Sequence, residues 1–146
     1  MEFITNSPKE TEEVGKNLVK ELKGGDIVLL NGDLGAGKST FVKGIAMGLK
    51  IKRTINSPTF TLMNVYTLDK EINKIKKLIH IETFRLKDGE ALLEIGAKDY
   101  VGQKDTLTLI EWPEKVQKLI KDKAIIEIDF IQSEENRRKI VVKDEE

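Results

Sequence analysis

The segment Gly32-Asp33-Leu34-Gly35-Ala36-Gly37-Lys38-Ser39 constrains this chain more than any other part of it. It spells G-x-x-x-x-G-K-[ST], the Walker A loop, and that spelling has a physical reason. Glycines let successive backbone N–H groups turn inward as an anion-binding nest without side-chain clashes. A helix starting near Lys38 points its positive dipole end at the same place. Lys38 can then reach β- and γ-phosphates, and the Ser39 hydroxyl can ligate Mg²⁺. The flanks agree. Asp26 to Asn31 (DIVLLN) reads as a buried strand, and Phe41, Val42, Ile45, Ala46 and Leu49 recur at helical spacing after the loop. Strand, loop and helix in that order predict nucleoside triphosphate binding through Gly32, Asp33, Leu34, Gly35, Ala36, Gly37, Lys38, Ser39 and Thr40.

At 146 residues, 39% hydrophobic and 34% charged, the chain suits one soluble domain over 1–146. Its 25 basic and 25 acidic residues balance, so no overall field favours nucleic acid, and any contact with RNA is expected to be local or indirect. The absence of cysteine excludes a disulfide partner, a thiolate zinc site and a thiol nucleophile. Met1 to Thr5 (MEFIT) lacks a signal-peptide pattern, and no apolar run approaches a membrane span, so the cytoplasm is the expected location.

The remaining pattern alternates strands with helices and then ends in hairpins. Phe3-Ile4-Thr5 reads as a short strand. Ser7-Pro8-Lys9-Glu10 reads as a capping box with proline at the first helical position. The helix it opens carries Val14, Leu18, Val19 and Leu22 and is expected to stop at Gly24-Gly25. Residues 57–68 read as extended, with a turn around 71–73 and a return strand at 77–81. A short helix is expected between Gly89 and Gly96, a strand at Thr106–Ile110, and a helix from Pro113 to Ile120. Two strands, Ala124–Ile131 and Lys139–Val142, close the pattern, and Asp144-Glu145-Glu146 reads as a frayed tail. This sequence order predicts an α/β, P-loop NTPase-like three-layer sandwich with a mixed parallel/antiparallel sheet.

Phosphoryl transfer with Mg²⁺ needs a second anchor for the ion, usually an acid at the end of a neighbouring apolar strand. Glu111, closing Leu107-Thr108-Leu109-Ile110, fits that role. Trp112, the one tryptophan, either packs at the strand end or lines the site. His80, Glu82 and Phe84 share a face if their strand persists. Glu82 can orient a water molecule, and Arg85 can steady the segment through a carboxylate or touch phosphate. A histidine so placed either bonds a neighbour structurally or serves the site. Ser57-Pro58-Thr59 reads as an edge-strand start or as a switch segment sensing the γ-phosphate. Lys70, Lys74, Lys76 and Lys77 crowd a hairpin tip, as a solvated face or an RNA-touching patch.

With these residues in view, the chain resembles the TsaE (YjeE) family, the ATPase subunit of the bacterial machinery that makes threonylcarbamoyladenosine in tRNA. The resemblance rests on Gly-Asp-Leu-Gly-Ala-Gly-Lys at 32–38, Ser-Pro-Thr-Phe at 57–60, the His-x-acid-x-aromatic-Arg-Leu string at 80–86 and Glu-Trp-Pro at 111–113. It implies ATP and Mg²⁺ as cofactors, with Ser39 and Glu111 on the metal and Lys38, Glu82 and Glu111 serving catalysis. It further implies Thr11 near the base, Arg137 approaching ATP from the last hairpin, and a supporting set of Ser57, Thr59, His80, Arg85 and Trp112. The implied partners are TsaD and TsaB, which perform the transfer while this subunit's ATP hydrolysis supports turnover. Contact with tRNA would be indirect. Where the family usually carries Thr, Asp and Tyr, this chain has Ser39, Glu82 and Phe84.

A small-metabolite kinase shares the fold and loop, but its usual arginine-bearing lid is not evident in a chain with arginines only at 53, 85, 137 and 138. A GTP switch would need Asn-Lys-x-Asp, and Asn73-Lys74-Ile75-Lys76 lacks the closing acid. A third possibility is a chain that binds nucleotide only to shape a docking surface.

Overall fold

The protein is described by a computed structural model covering residues 1–33, 35–52, 55, 63–83, 96–113, 120 and 123–145. Seven strands form one sheet: β1 (Glu2–Thr5), β2 (Ile27–Asn31), β3 (Met63–Ile72), β4 (Ile75–Glu82), β5 (Thr106–Glu111), β6 (Ile125–Gln132) and β7 (Arg138–Glu145). Their spatial order is β1-β7-β6-β2-β5-β4-β3. The four central strands β6, β2, β5 and β4 run parallel, and antiparallel pairs close both edges. The centre is parallel because its sequence suits burial on both faces. Ile27 to Leu30 and all of β5 are buried, as expected of strands covered on each side.

Side chains alternate across this sheet and divide the core in two. Val28, Leu30, Leu78, Leu107 and Leu109 face helices α1 (Pro8–Leu18) and α2 (Lys38–Gly48), where Leu18, Phe41, Ile45 and Leu49 meet them. Ile27, Leu29, Ile79, Ile81 and Ile110 face the other way, against Ala97, Val101 and Ile120. The layered, mixed-sheet α/β architecture is the one anticipated from the element order.

Helix α1 begins where the capping residues place it. Ser7 is extended at φ −156° and its hydroxyl accepts the Glu10 N–H at 3.1 Å. Glu10 returns the favour one residue earlier than a standard box, accepting the Asn6 N–H at 2.9 Å. The far end differs from expectation. Helix α1 stops at Leu18, a 3₁₀ turn covers Val19–Glu21, and Leu22 is already extended, because both Val19 and Leu22 must be buried in the core.

The hairpin also turns later than its composition suggests, at Asn73-Lys74, whose φ values of +51° and +66° give both central residues of the tight turn positive φ. The last strand runs on through Asp144 and Glu145, paired with Ile126 and Ile125, so these two residues are not frayed. The short helices expected at 89–96 and 113–120 fall mostly outside the described residues. A 3₁₀ turn at Ala97–Asp99, not expected, follows Gly96 at φ +83°. Among the described residues no helix is long and apolar enough to cross a membrane.

Candidate functional site

Strands β2, β5 and β4 point their carboxyl ends to one side of the sheet, where open α/β folds hold ligands. From β2 the chain passes through Gly32 and the glycine loop into α2. Gly37 caps that helix at φ +105°, a left-handed conformation that only glycine takes at little cost. With no side chain to cap it, α2 begins its own bonding with the Phe41 N–H donating to the Gly37 carbonyl at 3.0 Å. The amides of Lys38, Ser39 and Thr40 therefore open the helix without an intrahelical acceptor. A Cβ on Gly35 would meet nothing within 4 Å among the described residues.

Lys38 leans back over the loop. Its ammonium donates to the Gly32 carbonyl at 2.6 Å and sits 3.8 Å from the centroid of the Trp112 ring. Trp112 reaches this place through a backbone φ of +60°, an uncommon and costly conformation for an aromatic residue. The strain is held by Thr83, which follows β4. Its N–H and hydroxyl donate to the Glu111 carbonyl at 3.2 and 3.0 Å, and the hydroxyl also bonds the Trp112 carbonyl.

Glu111 and Glu82 are register partners at the ends of β5 and β4. Glu111 is buried and its Oε2 lies 2.6 Å from His80 Nε2, with His80 2% exposed and the carboxylate 5%. Glu82 is half-buried beside it. Among the sequence-selected residues, Lys38, His80, Glu82, Glu111 and Trp112 are thus brought to one end of the sheet. Ser39 is exposed and Thr40 half-buried on the first turn of α2, and Asp33 is exposed in the loop with its carbonyl accepting the Ala36 N–H at 3.1 Å. Ala36 is buried. Thr11 is buried under the loop, its hydroxyl 2.7 Å from that of Thr5 and its methyl 3.5 Å from where a Gly37 Cβ would be. Leu34, Ser57, Thr59 and Arg85 lie outside the described residues.

The arginine of the last hairpin that reaches the loop is Arg138. Its guanidinium donates to the Gly35 carbonyl at 3.1 Å and to the Glu135 carbonyl at 3.0 Å, whereas the Arg137 contacts found are backbone bonds within its own turn and its carbonyl accepting from Arg138. Strand parity held the signal. Ile140 and Val142 pack on the helix side, and counting back by twos reaches Arg138. Thr83 was also missed, and a threonine after a strand offers no comparable signal. Of the hairpin lysines, Lys70, Lys74 and Lys76 are exposed, and the Lys77 ammonium lies 5.8 Å from the Tyr100 ring.

Fold and site together define an α/β sandwich built around a strand–glycine loop–helix unit, with carboxylates on the adjoining parallel strand ends. Comparison with known proteins narrows the class. The family model for "Threonylcarbamoyl adenosine biosynthesis protein TsaE" matches residues 5–140, and the chain belongs to the TsaE family. The tRNA threonylcarbamoyladenosine biosynthesis protein TsaE of Aquifex aeolicus is 36% identical over 144 residues, 95% of this chain and 92% of that protein. The protein of the same name from Rickettsia prowazekii is 37% identical over 134 residues, 91% of this chain and 88% of its own length. The crystal structure of Bacillus subtilis YdiB superposes with a TM-score of 0.76 at 27% identity, covering all of this chain and 86% of that one.

Proposed function

We propose that this chain binds ATP with Mg²⁺ at the Gly32–Thr40 loop and hydrolyses it slowly. In this reading it is an accessory subunit whose turnover supports a TsaB–TsaD pair in forming threonylcarbamoyladenosine on tRNA. The observation that carries the reading is the glycine loop that enters α2 through left-handed Gly37, with the Lys38 ammonium folded back onto the Gly32 carbonyl and the Glu82 and Glu111 strand ends at the same end of the sheet.

The residues fit a nucleoside triphosphate and a divalent ion. Loop amides and the helix dipole favour the phosphates, and Lys38 is close enough to exchange the Gly32 carbonyl for a phosphate oxygen. Among the described residues no group of three or more His, Cys, Asp and Glu side chains gathers to hold a metal alone. A divalent ion would need phosphate oxygens beside Ser39 and Glu111, as suits Mg²⁺. Bound Mg²⁺ would neutralise charge developing on the transferred phosphoryl group. Lys38 would add a positive charge at the same oxygens, Ser39 would offer its hydroxyl, and Glu82 would orient and accept a proton from water. Thr11 and Arg138 brace the loop from either side. The name carried by the relatives supplies the pathway, and the TsaB–TsaD partnership follows the family resemblance.

The test is ATP hydrolysis by the purified chain, alone and with the TsaB–TsaD pair, beside Lys38→Ala. A slow basal rate that rises with the pair and vanishes in Lys38→Ala is expected. A rate indifferent to the pair would overturn the accessory role, and activity surviving in Lys38→Ala would overturn the loop's part in hydrolysis.

A further inference from the structure

A buried carboxylate is unfavourable unless something satisfies it. Glu111 has one such partner. Among the described residues His80 is the only side chain bonded to its carboxylate, through Oε2 at 2.6 Å. Nothing among those residues bonds Oε1. The two residues come from neighbouring parallel strands, with His80 opposite Leu109 and Glu82 opposite Glu111. His80 and Glu111 therefore project from the same face of the sheet, two register positions apart. The backbone of Glu111 is held independently by Thr83. Strand β4 and the residue that follows it thus fix both the side chain and the main chain of the acid on β5.

His80 Nδ1 is buried and, among the described residues, has no hydrogen-bond partner. An orphaned buried N–H is rarer and costlier than an orphaned acceptor. The arrangement consistent with this is an imidazole with its proton on Nε2, donating to Glu111, and a bare lone pair on Nδ1. Among the described residues its one side-chain polar interaction is with Oε2, which leaves Oε1 as the oxygen of Glu111 available to a ligand.

We propose that His80 is a positioning residue, which locks the Glu111 carboxylate in the orientation that presents Oε1 to the metal of a bound Mg²⁺–nucleotide. The inference rests on the proposed nucleotide site and assigns the group that orders it. His80 touches neither nucleotide nor metal. The role is the counterpart of the carboxylates that orient metal-bound histidines, whose removal costs about 10–100-fold in metal affinity. Loop amides and Lys38 bind phosphates without help from β4, so nucleotide affinity without metal does not depend on His80.

Isothermal titration calorimetry of ADP, in EDTA and across a Mg²⁺ series, reads both quantities without turnover. His80→Leu is expected to bind ADP in EDTA within about twofold of the unsubstituted chain, while the Mg²⁺ concentration for half-maximal enhancement rises about 10–100-fold. His80→Gln, whose amide nitrogen can occupy the place of Nε2, restores the response, and the shorter His80→Asn does not. If His80→Leu fails to fold, the contrast between Gln and Asn carries the test. An unaltered Mg²⁺ response in His80→Leu, or equal responses in Gln and Asn, overturns the proposal and leaves the nucleotide site standing. A parent chain that binds no ADP with Mg²⁺ overturns both.

Discussion

Glu82 and Glu111 end adjacent strands in register, yet their surroundings separate them. Glu111 is buried, bonded to His80 and held by Thr83, whereas Glu82 is half-buried at the rim. Two carboxylates in different environments suit different tasks, one fixed and one able to handle a water molecule. Glu82→Ala is accordingly expected to lower ATP turnover about 100-fold, in the range typical of a positioned general base. Its affinity for ADP should stay within a few-fold of the parent chain, measured by calorimetry beside steady-state hydrolysis. Unchanged turnover would make Glu82 structural. Most of these residues were legible in the sequence because chemistry dictates their identity. A glycine loop followed by Lys38 and Ser39, and an acid ending an apolar strand, can be named without coordinates. The His80–Glu111 bond could not, since 31 residues separate the partners and only strand order makes them neighbours. The choice of Arg138 over Arg137 likewise turned on which face of β7 looks toward the loop.

Helices α1 and α2 approach so closely that glycine is required where they cross. A Cβ on Gly44 would lie 2.0 Å from the Glu12 carbonyl oxygen, and one on Gly15 2.5 Å from the Phe41 carbonyl oxygen. Both obstacles are backbone, which cannot swing aside as a side-chain tip can. This contact seats α1 against α2, and α1 in turn sets Thr11 beneath Gly37, so the packing supports the loop. Gly44→Ala is therefore expected to destabilise the chain at the upper end of the about 1–3 kcal/mol typical of overpacking. That corresponds to a fall in Tm of roughly 6–12 °C by differential scanning calorimetry for a chain of this size. A Tm within 1 °C of the parent would show that the helices can separate freely. The apolar periodicity of both helices was readable and identified their buried faces. Their glycine contact was not, because a glycine inside a helical pattern reads only as a weak propensity penalty until the neighbouring backbone is in place. Element ends were the least legible, and α1 gives way to a 3₁₀ turn because burying Val19 and Leu22 outweighs continuing the helix.

Across the whole molecule, Asp129 on β6 links the two strands that flank it, through Lys143 on β7 and Asn31 on β2. Lys143, hydrogen-bonded at 2.9 Å, holds its carboxyl below the usual aspartate range; partial burial opposes the shift, and the Asn31 amide at 3.0 Å assists it. A carboxyl with a lowered folded-state pKa adds stability above its unfolded-state pKa and loses it as pH falls through the folded value. The urea midpoint of the parent chain should therefore exceed that of Asp129→Asn by a constant amount at neutral pH. The gap should narrow below about pH 4. A gap unchanged down to pH 3 would show that the charge of Asp129 contributes nothing. By itself the sequence determined the class of fold, the place of the glycine loop between strand and helix, the acid at the strand end and the family, because each rests on local periodicity or on a motif whose spacing is set within a few residues. The tertiary structure alone decided the strand order β1-β7-β6-β2-β5-β4-β3, the union of His80 with Glu111, the Lys38–Trp112 contact and the reach of Arg138. Those depend on which strands lie side by side and which way each side chain faces, and long-range packing sets both.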